Sequence, residues 1–144
     1  MIPHYLLMLC LFNRHIKDIF MSFSKATKSF FIRWLDFQGR SSRSEYWWGF
    51  LGVCIITFIV AFIIAFTLII MGASENQINL AILPWQIFTG IGGLALAIRR
   101  LHDLDKSGWW YLIAFTIIGL IPLFIWYCTK GTEGPNRFGE DSLS

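Results

Sequence analysis

The sequence predicts an all-α membrane protein: an N-terminal amphipathic helix lying in the membrane interface, followed by three transmembrane helices at about 47–71, 78–98 and 109–128. Composition is the first observation behind this expectation. Of 144 residues, 56% are hydrophobic and 15% charged, with a mean hydropathy of +0.58, more apolar side chain than a soluble core of this length can hide. The second is that the runs Trp47–Met71, Ile78–Ile98 and Trp109–Cys128 contain no Asp, Glu, Lys, Arg or His. Each matches the roughly 20 helical residues that cross a hydrocarbon layer about 30 Å thick. One charge at its centre costs about 2.5 to 3.5 kcal/mol, so the absence of charge from all three runs marks lipid as the solvent. The third is a two-sided segment ahead of the first run.

Taken in order, residues 1–20 carry a short apolar stretch, Tyr5 to Phe12, without the basic start or small-residue cleavage site of a secretory signal. They read as an extension outside the fold or as an unused upstream start, with Met21 a second plausible beginning. From Ser22 to Gln38, Phe23, Phe30, Trp34 and Phe37 share one helical side and Lys25, Lys28, Ser29 and Arg33 the other, with Gly39 as the stop. Such a helix suits the headgroup plane, and packing of its apolar side on another protein is the alternative. Ser42 and Glu45 have capping-box spacing ahead of the first span, and Tyr46, Trp47 and Trp48 are interfacial residue types. Small residues at four-residue spacing (Ala61 and Ala65; Thr89, Gly93 and Ala97) predict close packing of spans one and two. Gly119 and Pro122 can bend the third span, and the tail after Cys128 is rich in turn formers, with nothing to bury.

Charge orients the chain. Arg14, Lys17, Lys25, Lys28, Arg33, Arg40 and Arg43 precede the first span, and Arg99, Arg100 and Lys106 follow the second, whereas the loop from Gly72 to Gln77 carries only Glu75. The positive-inside rule then places the N-terminus in the cytoplasm and, after three crossings, the C-terminus outside. If the chain turned back at Gly119–Pro122, the tail would return to the cytoplasm.

Two charged clusters share that cytoplasmic face, RSSRSEYWW around Arg40–Trp48 and RRLHDLDKSGWW at Arg99–Trp110. Arg40 and Arg43 are expected to meet Asp103 or Asp105, and Glu45 to meet Arg99 or Arg100, as half-solvated pairs worth about 1 kcal/mol or less each. His102, Asp103 and Asp105 are metal-ligand types, but they offer three ligands at most, beside two repelling arginines. His102 with Asp103 is conceivable as an acid–base pair, yet no nucleophile is marked, since Ser107 serves equally as the cap of the third helix. The widely separated Cys10, Cys54 and Cys128 form no metal or disulfide pattern. No cofactor follows. A formal charge of +3 sits beside the spans, where anchoring to anionic headgroups accounts for it without nucleic acid.

R-x-S-R-x-E-Y-W-W, R-R-L-H-D-x-D-K-S-G-W-W and G-T-x-G-P-N-R-F-G, in that order, resemble the motifs of the domain-of-unknown-function 805 family (DUF805), small bacterial inner-membrane proteins. The resemblance covers residues 21–139, leaves 140–144 as a flexible tail, and implies a multi-pass plasma-membrane location without an established activity. The expected function is a non-enzymatic binding or scaffold module whose cytoplasmic face contacts a partner protein, a second copy or anionic lipid; the alternative is a subunit of an oligomeric small transporter or channel. Arg40, Arg43, Glu45, Tyr46, Trp47, Arg99, Arg100, His102, Asp103, Asp105, Ser107, Gly108, Trp109, Asn136 and Arg137 are the candidate interface.

Overall fold

The computed structural model describes residues 22–140, so the expectations for residues 1–20 and for the last four residues lie outside the described part. Helix α1 occupies residues 22–32, α2 Arg43–Ile70 and α3 Glu75–Asp103; a 3-10 helix at Gly108–Phe115 and a short α4 at Leu120–Cys128 follow.

The two long helices are capped as their sequences demand. Ser42 accepts the Glu45 amide at 3.2 Å at the start of α2, and Ser74 forms a reciprocal box with Gln77 at the start of α3. Both are long and apolar enough to cross a membrane, and only 6% of the most apolar window of α2 is buried, whereas a helix in a soluble core would be mostly covered. Phe58, Phe62 and Phe66 stack along its outer face at four-residue spacing and stay more than half exposed.

The expected third span is corrected. Residues 109–128 do not form one helix; the 3-10 helix runs down, turns at Thr116–Gly119, and α4 returns. With nine residues, α4 rises only about 14 Å, less than half a hydrocarbon layer. The turn closes on itself: the Thr116 hydroxyl donates to Ile113 O at 2.8 Å and accepts from Gly119 N at 3.1 Å. A Cβ on Gly119 would overlap Ile113 O, so only glycine allows this reversal. At the tip, Phe115, Ile117 and Ile118 are more than 80% exposed.

The C-terminal tail emerges at the same end of α2 and α3 as residues 33–45, the arrangement expected if the chain turned back at Gly119–Pro122.

Helix α1 ends earlier than Gln38, and its apolar face is packed. Ala26 and Phe30 are buried across α2 and α3, where Gly49, Gly52 and Gly92 leave room; a Cβ on Gly92 would come within 2.6 Å of Phe30. Phe31 and Trp34 continue the contact onto Phe88. Close approaches therefore fall between α1 and the two long helices, while α2 and α3 pack on each other as expected, with Gly49 against Leu96. The small-residue ladder containing Gly93 does not account for them, since a Cβ there would meet nothing within 4 Å.

Candidate functional site

Three arginines meet where the ends of α1, α3, α4 and the tail come together. Arg99 and Arg100 are 0% exposed and Arg40 is 6% exposed, at the end of a protein otherwise coated in apolar side chains. Burying a guanidinium is costly unless its N–H groups are used. Each of the three uses them on the orphan carbonyls of a different segment.

Arg99 holds the end of α1: its Nη1 donates to Arg33 O at 2.8 Å and to Asp36 O, and its Nε to the Ser41 hydroxyl at 3.2 Å. Those carbonyl bonds explain why the helix stops before Gln38. Arg100 holds the end of α4, donating from Nε to Tyr127 O at 3.3 Å, from Nη2 to Thr129 O and from Nη1 to Ser41 O at 3.4 Å. A cation at a helix C-terminus is also favoured by the helix dipole. Arg40 holds the tail through Thr132 O, Gly134 O at 2.7 Å and Gly139 O at 3.4 Å.

Asp103 joins two of them. Its Oδ1 accepts from Arg40 Nε at 3.0 Å and its Oδ2 from Arg100 Nη1, with all three side chains at most 3% exposed. Its backbone carbonyl accepts from Thr132 N at 2.9 Å, and a Cβ on Gly131 would overlap its carboxylate, so the tail requires glycine there. The Arg40–Asp103 pairing was expected, but the half-solvated environment was not: this pair is buried, and removing one partner leaves an uncompensated charge.

The other expected pairings differ. Glu45 accepts from the Ser29 hydroxyl at 2.7 Å and lies 3.8 Å from Arg33, so it ties α1 to α2 and acts on Arg99 through charge without a direct ion pair. Arg43 is exposed and donates to Cys128 O at 3.4 Å, not to Asp103 or Asp105. Asp105, at φ 54°, instead pairs with Arg137 at 3.0 Å.

His102 and Asp103 do not form an acid–base pair. The Asp103 carboxylate faces arginines, while His102 Nδ1 lies 3.2 Å from Gly39 O and its ring stacks on Phe138 at 3.8 Å. Asn136 donates to His102 O at 2.9 Å and accepts from Phe138 N at 2.9 Å, which builds the turn that sets Phe138 over the imidazole. Among the described residues no group of three His, Cys, Asp or Glu is placed to hold a metal.

Ser107 caps the 3-10 helix, accepting from Trp109 N, and Gly108 lets that helix approach α3, since a Cβ would come within 2.8 Å of Ile98. Tyr46 and Trp47 pack on Tyr127 and Phe124 of α4, but Trp109 is 78% exposed. Lys106 sits over the Trp126 ring at 4.4 Å.

Asp36, on the rim, has its acidity tuned. Burial pushes its carboxyl up, but the Gln38 amide and the Arg33 guanidinium outweigh that and hold it below its ordinary value of 3.8.

Ser41, Gly131, Thr132, Tyr127 and Phe138 were not among the candidate interface residues, and Tyr127, expected with Trp126 at the far interface, instead lies beside Arg100 and Tyr46. The GTEGPNRFG segment carried the available signal: a run of turn formers holding Asn136 and Arg137 needs a surface to turn against.

A model of the family described as "Protein of unknown function (DUF805)" matches residues 34–140. The chain is 40% identical over 109 residues to the Inner membrane protein YhaI of Escherichia coli strain K12, covering 75% of this chain and 86% of that one. It is 33% identical over 114 residues to the Inner membrane protein YhaH of the same strain, covering 75% and 88%. No solved structure matches it.

Proposed function

The chain belongs to the DUF805 family, and from that premise we propose that it is an integral protein of the bacterial inner membrane acting as a non-enzymatic binding or scaffold module. In this reading α2 and α3 cross the bilayer, the 109–128 hairpin enters it and returns, and α1 lies near the interface on the cytoplasmic side. The charge distribution supports that orientation. Arg40, Arg43, Arg99, Arg100, Lys106, Lys130 and Arg137 gather at one end of α2 and α3, while the opposite loop offers Glu75. Both termini of the described chain are then cytoplasmic.

One observation carries the functional part. The buried arginines spend their donors on the chain's own carbonyls and on Asp103, which makes the two motifs and the tail a latch between helices. Contact with a partner protein or anionic headgroups falls to the rim, where Trp109 and Arg137 are exposed and Lys106 is half-buried over Trp126.

Reporter fusions at Ser144 and ahead of Met21 test the orientation. Both are expected to report cytoplasm, and a periplasmic signal from Ser144 alone would overturn the hairpin. Photo-crosslinking from position 109 in cells, read by mass spectrometry, is expected to capture a partner protein or a lipid. Ion conduction or solute movement by the reconstituted protein would instead favour the transporter reading.

A further inference from the structure

An apolar groove of about 520 Å³ runs between α2 and α3, with Cys54, Phe58 and Ala61 on one side and Gln86 and Gly90 on the other. Gln86 is out of place there. With α3 crossing the bilayer, it lies about 12 Å along the helix from Ile78 and about 18 Å from Ile98, inside a hydrocarbon layer about 30 Å thick. Polar side chains beside it are used within the chain: Trp85 Nε1 donates to the Thr57 hydroxyl at 3.2 Å, and the Thr89 hydroxyl donates to Trp85 O at 2.9 Å. Gln86 is exposed, and its carboxamide has no hydrogen-bond partner among the described residues. One turn on, Gly90 is also exposed, and a Cβ there would meet nothing within 4 Å. A glycine inside a helix weakens it relative to alanine, and no contact among the described residues requires this one.

An acyl chain can fill the groove but carries neither donor nor acceptor, so lipid leaves the Gln86 amide unsatisfied. A carboxamide has both, an NH2 and a C=O, and is therefore complementary to a copy of itself. In a two-fold dimer a residue near the axis faces its own copy, so two Gln86 side chains close a reciprocal pair of hydrogen bonds with nothing else supplied. The missing Cβ at Gly90 then lets the two α3 backbones come close beside that pair. We propose that a second copy of this chain docks on this face of α3, with Gln86 paired to Gln86 across a two-fold axis along the membrane normal and Gly90 at the closest approach. A different membrane protein would have to bring its own donor and acceptor to the same depth. The contact lies within the membrane, apart from the rim at Trp109 and Arg137, and it rests on the reading that α2 and α3 cross the bilayer.

The test uses the full chain, with donor or acceptor fluorescent proteins fused after Ser144, reconstituted in vesicles of phosphatidylethanolamine and phosphatidylglycerol. Energy transfer reads the dimer fraction as the protein-to-lipid ratio is varied. The wild type is expected to dimerise. Gln86→Leu should weaken the dimer about three- to twentyfold, and Gln86→Asn, which keeps the amide, should lose less. Gly90→Leu should abolish the dimer by holding the helices apart, while its circular dichroism matches that of the wild type, because a Cβ there meets nothing within 4 Å in the single chain. A wild type that is monomeric at every ratio, or a dimer undiminished in Gln86→Leu or in Gly90→Leu, would overturn the proposal. Photo-crosslinking from position 86 in cells that captures a different membrane protein and no second copy would assign the face to that protein instead. A reporter inserted between Gly72 and Ala73 separates the two failures. If it reports periplasm and the wild type stays monomeric, this inference alone fails; if it reports cytoplasm, α2 and α3 do not cross and the underlying reading fails with it.

Discussion

The pair α2–α3 and the hairpin at 109–128 are built from nearly the same residues and do different things. Each of the three segments contains a long charge-free run rich in Ile and Leu (Trp47–Met71, Ile78–Ile98 and Trp109–Cys128), and Trp or Tyr bounds the first and the third. The first two run as unbroken helices of 28 and 29 residues, and α3 continues through Pro84. The third breaks into a 3-10 helix and a nine-residue helix around Gly119. Apolar length therefore tells that a segment belongs in lipid, but not that it crosses. What turns the third one back is a tight turn only glycine can make, together with buried arginines that draw the carbonyls of Tyr127 and Thr129 to the end where the chain began.

The sharpest way to break this contrast is at Asp103. Asp103→Asn leaves Arg40 and Arg100 buried against each other without their shared carboxylate, and should cost about 3 to 5 kcal/mol. Thermal unfolding in detergent measures it, and protease should then cut after Lys130 while α2 and α3 stay protected. Swapping Arg40 with Asp103 should not rescue the loss, because the new arginine would face Arg100; a rescue would show that the shared carboxylate is not the joint.

Next in size is the turn. Gly119→Leu should cost about 2 kcal/mol by forcing the reversal open, whereas Gly93→Ala, facing open space, should change the unfolding midpoint little. Equal effects at both positions would mean that the hairpin is not held by its turn.

The regular pair can be probed in the same way through its cap. Ser42→Ala removes the oxygen that accepts the Glu45 amide and should cost about 1 kcal/mol. Ser107→Ala, at the poorer 3.4 Å cap of the 3-10 helix, should cost less.

The smallest effect is in pH. The Asp36 carboxyl titrates lower folded than unfolded, so its contribution is fully present above the ordinary carboxylate value of 3.8 and is lost as pH falls through the folded value. Asp36 is 38% exposed in its side chain, so the term is small. Comparing unfolding midpoints of the wild type and Asp36→Asn between about pH 6 and pH 3 should show the gap closing toward the acid end.

Much of the architecture was legible in residues read singly. Charge-free length located α2 and α3, the Ser42 position marks a real helix start, and the pairing of Arg40 with Asp103 followed from two clusters sharing a face. The tail was misread because Phe138 is its one large apolar side chain up to Gly139; it is held mainly through backbone carbonyls, and every residue type carries one. Glu45 was misassigned because its partners, Ser29 and Arg33, come from a helix whose place against α2 depends on Gly49 and Gly52.

The amino-acid sequence by itself determined the solvent of this protein and the end at which its charge collects, since both follow from side-chain chemistry summed over a segment. Only the tertiary structure decided that the third apolar segment turns back and that the arginines are buried joints. Those outcomes depend on where carbonyls and glycines fall in space, which no residue specifies until its neighbours are packed.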